Sequence, residues 1–388
     1  MSFVLNSARG SNTSIEHLSD SAIYIWNGAN NSIVANSNVY TVFSAQNPSA
    51  EVGFGTEVAL AANRLIVRSR SGNTAVYSLE TNSLIHRPNV NRRVSDVYNR
   101  SVATIGDKMI ISSGEGVSNV YFLNNTYSST LSFNAVVVSE TSFNTAGFAV
   151  AAADNRIVIG MPRDLAGGQI RVFNYNEEKL FDIMSPGGGG LINYFGDVVS
   201  VGGGVIAVGT PYSDASGTFN AGAVDLFDYN GYFIKKILPL SITSNGNYGG
   251  GLSVGCGVLA TIYLGIDRFD IRDLSGNLIA NISLPGRPRS VKVKYGKIFI
   301  GIPELPVGVR SGRVYVYDLR GNLLQTIQPN TITNARFGTS VDVGYGYLAV
   351  GANTNTVSGT SNAGSVLLYK ISPEYTLDDA AYVTYNGE

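Results

Sequence analysis

A single cysteine, Cys256, stands among 388 residues, so the chain holds neither an intrachain disulfide framework nor a cysteine-based zinc site. It sits in the turn Gly255-Cys256-Gly257 and reads as structural. Histidine is nearly as scarce. His17 and His86 are the only two, neither has metal-ligand spacing or a nucleophile beside it, and each reads as a surface or packing residue. Charge is thin as well: Asp, Glu, Lys and Arg make up 14% of the chain, well below the usual quarter, and 27 basic residues balance 28 acidic ones. Without a net field to gather phosphates or anionic lipid, no nucleic-acid partner is expected. No run of eighteen apolar residues occurs, so no membrane insertion is expected.

Gly, Asn, Ser, Thr and 22 Tyr fill the place that charge leaves. Such an uncharged polar surface is common in proteins that work outside a cell. Residues 1–10 nevertheless lack the basic region and apolar core of a secretory signal. An extracellular style without an export signal predicts a virion component assembled in host cytoplasm, with an extracellular or cell-surface location as the alternative.

The dominant feature is a repeat, clearest in Phe337-Gly338-Thr339-Ser340-Val341-Asp342-Val343-Gly344-Tyr345-Gly346-Tyr347-Leu348-Ala349-Val350-Gly351. An aromatic-Gly pair opens it, a valine follows, a tight turn comes next, and an apolar run closes on Gly. Gapless copies start at Phe54, Tyr98, Ala146, Phe195, Tyr248, Arg287 and Phe337, spaced 39 to 53 residues apart. This is the period of a four-stranded propeller blade. Each copy supplies two buried strands, A and B. A third strand with period-2 alternation follows, as in Arg313-Val314-Tyr315-Val316-Tyr317-Asp318. Three of these C strands run into hairpin turns, 228–231, 273–276 and 318–321, in which Asp bonds backbone amides and Gly takes the positive φ. A fourth strand, D, completes the sheet. The expected fold is all-β: a seven-bladed β-propeller of four-stranded antiparallel blades.

The organisation follows. Residues 54–371 form the propeller, 1–53 an N-terminal segment with a blade-closing strand and a docking arm, and 372–388 a C-terminal strand or tail. Residues 22–27 are similar to a C strand, and 39–43 are spaced like a D strand that completes the last blade. Residues 374–385 compete for that place. The small residues before each closing Gly are assigned to crowding around the propeller axis.

The aromatic-Gly starts with Val208-Gly209-Thr210-Pro211-Tyr212 and Val350-Gly351-Ala352 resemble the FG-GAP repeats of integrin α-subunit propellers and their bacterial and phage relatives. The turn style looks like that of repeat proteins in virions of marine phages, especially cyanophages. Many blades of that family carry a calcium loop of the form D-x-D-x-D-G between strands A and B. Here short turns such as Val201-Gly202-Gly203-Gly204 and Ala153-Asp154-Asn155-Arg156 replace it, so no metal and no cofactor is expected.

The search for catalytic chemistry assigns no residue. Gly187-Gly188-Gly189-Gly190 lacks the Lys-Ser/Thr and helix of a P-loop. Asp225 and Asp228 flank one strand, an arrangement that serves glycoside hydrolysis at the right separation. Asp228 already has a turn role, and Asp225 reads as solvent-exposed. Arg287, Arg289, Lys292, Lys294 and Lys297 form the densest basic cluster, read as a solvated face against the alternative of an acidic partner. The B–C loops at 211–221, 303–311 and 352–363 share one face with the D–A loops. They offer amides, hydroxyls and aromatic platforms at Tyr212, Ser213, Asp214, Phe219, Asn220, Asn353, Asn355 and Asn362. Glycan or protein recognition and plain solvated connection both stay open for them.

The functional expectation is a non-enzymatic structural or adhesion protein of a phage virion, a tail or fibre component used for assembly or host attachment. Its partners would be other virion proteins and a host-surface glycan or protein receptor. A cell-surface or secreted carbohydrate- or protein-binding module is the alternative, and a glycan-processing enzyme the third reading.

Overall fold

The computed structural model describes residues 40–47, 49, 52–88, 101–112, 149–162, 167–186, 194–306, 309–329 and 334–371. It also gives the backbone of the strands His17–Leu18, Ser21–Ala22, Val117–Phe122 and Tyr127–Ser132. The repeat starts at Tyr98 and Ala146, residues 23–27 of the C-like segment, the docking arm and residues 374–385 lie outside the described residues.

Seven four-stranded sheets occur among the described residues, antiparallel throughout. Six use four consecutive strands each. Sheet 1 is Glu57–Ala61, Arg64–Arg68, Thr74–Ser78 and Leu84–His86; sheet 2 is Val102–Ile105, Lys108–Ser112, Val117–Phe122 and Tyr127–Ser132. Sheet 3 is Ala149–Ala153, Arg156–Met161, Gln169–Asn174 and Lys179–Met184; sheet 4 is Val198–Gly202, Val205–Thr210, Ala223–Asp228 and Phe233–Ile237. Sheet 5 is Tyr248–Gly255, Val258–Tyr263, Arg268–Asp273 and Leu278–Ser283; sheet 6 is Ser290–Lys294, Lys297–Ile302, Arg313–Asp318 and Leu323–Ile327. Sheet 7 is composite: Phe337–Gly344, Tyr347–Ala352 and Ser365–Lys370 are joined by Thr41–Ser44 from the other end of the chain, with Thr41 opposite Leu368 and Ser44 opposite Ser365.

The first strands of successive sheets pack against one another, and that of sheet 7 packs against that of sheet 1. The ring is therefore closed, and the chain is a β-propeller of four-stranded antiparallel blades. Strand B of each sheet is sandwiched between neighbours, so it is apolar on both faces: Val205–Thr210, Val258–Tyr263 and Lys297–Ile302 are buried along their whole length. Strand D forms the outer edge and carries polar residues, as in Phe233–Ile237, where only Ile237 is buried. Lysines on such an edge discourage pairing with another chain. The hairpin turns behave as their residues dictate. Asp228 Oδ1 accepts from the amides of Asn230 and Tyr232 at 2.9 and 2.8 Å, and Asp318 Oδ1 repeats this with Arg320 and Asn322.

The aromatic-Gly pair explains itself at the junction between sheets. Phe54, Phe195, Tyr248 and Phe337 are buried to 2% exposure or less, and each docks on the preceding sheet through its backbone. The Phe54 amide donates to Ala363 O at 2.8 Å, that of Tyr248 to Ala221 O at 3.0 Å, and that of Phe337 to Ser311 O at 3.0 Å. Single parallel bridges join Phe54 to Gly364, Tyr248 to Gly222 and Phe337 to Gly312. Two glycines of the preceding sheet make room. A Cβ on Gly364 would stand 2.1 Å from Phe54 O, and one on Gly351 would stand 2.0 Å from Gly55 O. The closing Gly of the repeat is thus required by the next sheet's backbone. Tyr248 adds a hydroxyl to this seam, and it meets Arg272 Nε at 3.2 Å, as a buried phenol must.

A second set of bonds lies between the A strands. As inner edges they expose amides that need partners, and polar side chains on neighbouring A strands supply them. Glu57 Oε2 accepts from Val102 N, Ser101 Oγ from Val150 N, Ser200 Oγ from Val254 N, and Ser253 Oγ from Val293 N. Asp342 Oδ2 closes the set by accepting from Leu60 N at 2.6 Å. The same carboxylate pairs with Lys292 at 2.7 Å. Lys297 is buried at 5% exposure. The basic cluster is therefore not one solvated face: Lys292 neutralises a buried acid, Lys297 is covered, and Arg287 and Arg289 remain exposed.

The seams predict a sharp contrast between two glycines with ordinary backbone angles. Gly351→Ala should lower the unfolding free energy by about 3 kcal/mol, because the opposing group is backbone and cannot rotate away. Gly202→Ala, whose Cβ would have its nearest neighbour at 3.4 Å, should change it by no more than about 0.5 kcal/mol. Urea unfolding of both variants gives the comparison, and equal losses would contradict the seam.

Candidate functional site

The B–C loops and the segments that link one sheet to the next meet on one face because the seams put them there. In sheet 4 the loop after Val205–Thr210 opens with a turn in which Ser213 N donates to Thr210 O at 3.1 Å, and Gly222 N closes the loop by donating to Ser213 O at 2.9 Å. Asp214 Oδ1 then accepts from Asn220 N at 2.9 Å across the short 3-10 turn Ala215–Gly217. The link to sheet 5 locks this loop from outside. Asn245 N donates to Phe219 O, Asn247 N donates to Asn220 O, and the Asn247 side chain reaches Pro211 O at 3.0 Å. Asn220 Nδ2 also donates to Asn245 Oδ1 at 3.0 Å. With the backbone held at so many points, Tyr212 and Phe219 still stand out at 42% and 60% exposure. The Tyr212 ring lies edge-on to Tyr194, 5.3 Å between centroids. This loop presents rigid aromatic surface.

The three asparagines of sheet 7 divide. Asn355 is structural: its carbonyl accepts from Gly364 N and its side-chain amide donates to Ser365 Oγ at 2.9 Å. Asn353 Oδ1 accepts from Thr339 Oγ1 at 3.1 Å, and the Asn362 carbonyl accepts from Gly53 N at 2.8 Å. Asn353 and Asn362 line a cleft of about 370 Å³. Tyr212, Ser213, Asp214, Phe219 and Asn220 belong to sheet 4, three sheets from sheet 7, so the structure does not gather the eight residues into one site.

The cleft straddles the junction where the ring closes. Val52, Gly53 and Arg70 come from the approach to sheet 1 and its B–C loop, Arg310 from the B–C loop of sheet 6, and Asn334, Arg336 and Thr354 from sheet 7 and the link into it. Thr354 Oγ1 donates to Asn334 O at 2.7 Å, and Arg336 donates to Glu304 Oε1 at 3.1 Å. The three arginines were missed in the sequence because they are scattered along the chain and converge only in the closed ring. A signal did exist, since the position of Arg310 holds Asn220 and Asn362 in sheets 4 and 7, and that of Arg336 holds Gly53 and Asn247 in two other seams.

Other ionisable groups serve the fold. Asp225, expected to be exposed, is fully buried at 0% exposure. Sheet 4 is covered on both faces, so alternation along its C strand does not lead to water. Lys236 on the adjacent D strand approaches the carboxylate at 3.1 Å, and Asp228 is committed to its turn, so the two acids do not form a catalytic pair. Asp154, in an A–B turn, accepts from Gly203 N and from the Tyr229 hydroxyl, each at 2.7 Å, and so ties sheet 3 to sheet 4. Among the described residues no group of three or more His, Cys, Asp and Glu is placed to hold a metal ion. No helix there is long and apolar enough to cross a membrane.

The closed ring of four-stranded sheets defines the class, a β-propeller. No family model and no curated protein matches the chain. Among solved structures it is similar to the WD40 domain of Neurospora crassa Pan2, with a TM-score of 0.60 at 9% identity, over 88% of this chain and 97% of that one. It is similar also to the WD40 β-propeller domain of Doa1, with a TM-score of 0.54 at 10% identity over 87% and 97%. A computationally designed protein, Ika8, aligns with a TM-score of 0.51 at 13% identity over 83% and 97%. At these identities the likeness is one of fold.

Burial raises the Asp225 carboxyl above its ordinary value of 3.8, against the opposing pull of Lys236. For a raised group the contribution to stability is complete below the unfolded value and is lost as pH climbs through the folded one. Removing the charge leaves Lys236, 40% exposed, free to return to water. Asp225→Asn should therefore match the wild type at pH about 4 and be the more stable protein at pH about 7. Urea midpoints of both proteins at the two pH values test this, and a variant weaker than the wild type at neutral pH would show that the ion pair outweighs burial.

Proposed function

We propose that this chain is a non-enzymatic structural or adhesion protein of a phage virion, a tail or fibre component. In this reading its seven sheets act as the blades of one FG-GAP-like disc. The observation that carries it is the loop of sheet 4: its backbone is fixed to the next sheet on both sides while Tyr212 and Phe219 remain exposed. Ordering is already complete before any partner arrives, which lowers the entropy lost on binding. Exposed aromatic anchors on a rigid support are what recognition of a protein or a glycan uses. The propeller would be assembled into particles in host cytoplasm against other virion proteins, with this face turned toward neighbours or toward a host-surface receptor.

A cell-surface or secreted binding module is the second reading, favoured by the asparagine- and arginine-lined cleft on the same face. Mass spectrometry of purified virions from a phage that encodes the chain separates the two. Presence at a fixed ratio to the major capsid protein is the expected result, and the ratio assigns the chain to tail, fibre or head. Absence from intact particles would move the assignment to the binding module.

A further inference from the structure

The cleft at the closure carries a chemistry that the fold does not require. Three arginines, Arg70, Arg310 and Arg336, line it. Arg336 has a carboxylate partner in Glu304, and among the described residues Arg70 and Arg310 have none. An arginine surplus on a chain that is otherwise balanced in charge calls for a local reason.

The backbone sharpens the point. Arg310 and Arg336 have φ of 49° and 53°, a left-handed conformation that disfavours any side chain with a Cβ. The residues equivalent to Arg310 in the seams of sheets 4 and 7 are Asn220 and Asn362, at φ of 50° and 58°. Those equivalent to Arg336 are Gly53, Asn247 and Tyr194, at 72°, 49° and 53°. Asparagine and glycine take this conformation readily. One seam alone places arginine at both positions, and both residues line the same cleft. Strain of this kind persists where function calls for it.

We propose that the cleft binds an acidic sugar unit, with Arg70 and Arg310 as the principal ligands to its oxyanion. The arginine fork matches the paired oxygens of a carboxylate or sulfate. Asn353, Asn362 and Thr354 line the same cleft, and the volume lies near the small end of ligand sites, roughly 300–1,000 Å³, which suits one charged unit of a longer polymer. Glu304 draws Arg336 aside and limits affinity. Because Arg70 stands on sheet 1 and the remaining ligands on sheets 6 and 7, the site exists only in the closed ring. The proposal rests on this face being the recognition surface, but not on the protein's residence in a virion.

The test uses the intact chain and three probes: an alginate hexasaccharide, which carries carboxylates, a κ-carrageenan hexasaccharide, which carries sulfates, and a neutral laminari-hexasaccharide. Calorimetric titration should show binding of at least one charged probe and none of the neutral one, and the preferred charged probe identifies the anion. R70Q/R310Q should weaken that binding at least tenfold with an unchanged melting temperature, since both side chains are exposed. R320Q, on an outer hairpin, should leave it unaltered. Glu304→Gln, which frees Arg336, should tighten binding severalfold, a gain that a purely structural role would not produce. Failure of both charged probes, or equal affinity in wild type and R70Q/R310Q, would overturn the proposal. Charged-sugar binding by a chain absent from virions would leave the site standing and remove only the virion reading.

Discussion

The molecule depends on one recurring contact, the docking of an aromatic-Gly pair against two glycines of the preceding sheet. A four-stranded sheet of this size buries too little on its own and must stack. Stacking alone would leave the sheets free to slide, because apolar packing has no direction. The seam adds direction: a buried ring, a backbone hydrogen bond and an approach of backbone to backbone that no side chain permits. The bonds from Ser101, Ser200, Ser253, Glu57 and Asp342 repeat the coupling between the inner strands. Together they convert a row of sheets into a disc of fixed geometry.

Closure uses the same device and then adds another. Phe54 docks on Gly364 as Phe337 docks on Gly312, so the closing junction uses the same contact as those at Phe195, Tyr248 and Phe337. Thr41–Ser44 also crosses to complete sheet 7, which ties the two ends of the described chain into one sheet. Loops held by such a frame keep their shape without a ligand. That is why Tyr212 and Phe219 can remain exposed on a loop whose backbone is fixed, and why residues from sheets 1, 6 and 7 can share one cleft.

Much of this was legible in the sequence, and the failures have physical causes. The period, the apolar B strands, the Asp-Gly hairpins and the place of a strand near residue 40 all follow from local pattern, because each is decided within a few residues. The closing glycines were legible as a fixed part of the repeat, but what requires them lies in the next repeat. Asp225 and Lys297 were misread since alternation reports water only for a sheet with one covered face, and here both faces are covered. The loop residues were found by composition, which could not reveal that Asn355 is internal or that the loops of sheets 4 and 7 are far apart. Arg70, Arg310 and Arg336 stand too far apart in sequence to suggest one another.

The central claim is that the seams hold the ring, and amide hydrogen exchange on the intact chain tests it most directly. If the account is correct, the amides of Phe54, Tyr248 and Phe337 exchange only through global unfolding, with the same denaturant dependence as those of the buried strand Val205–Thr210. Exchange of the Phe54 amide through a local opening, insensitive to denaturant while Val205–Thr210 stays protected, would mean that the ring is held by something else.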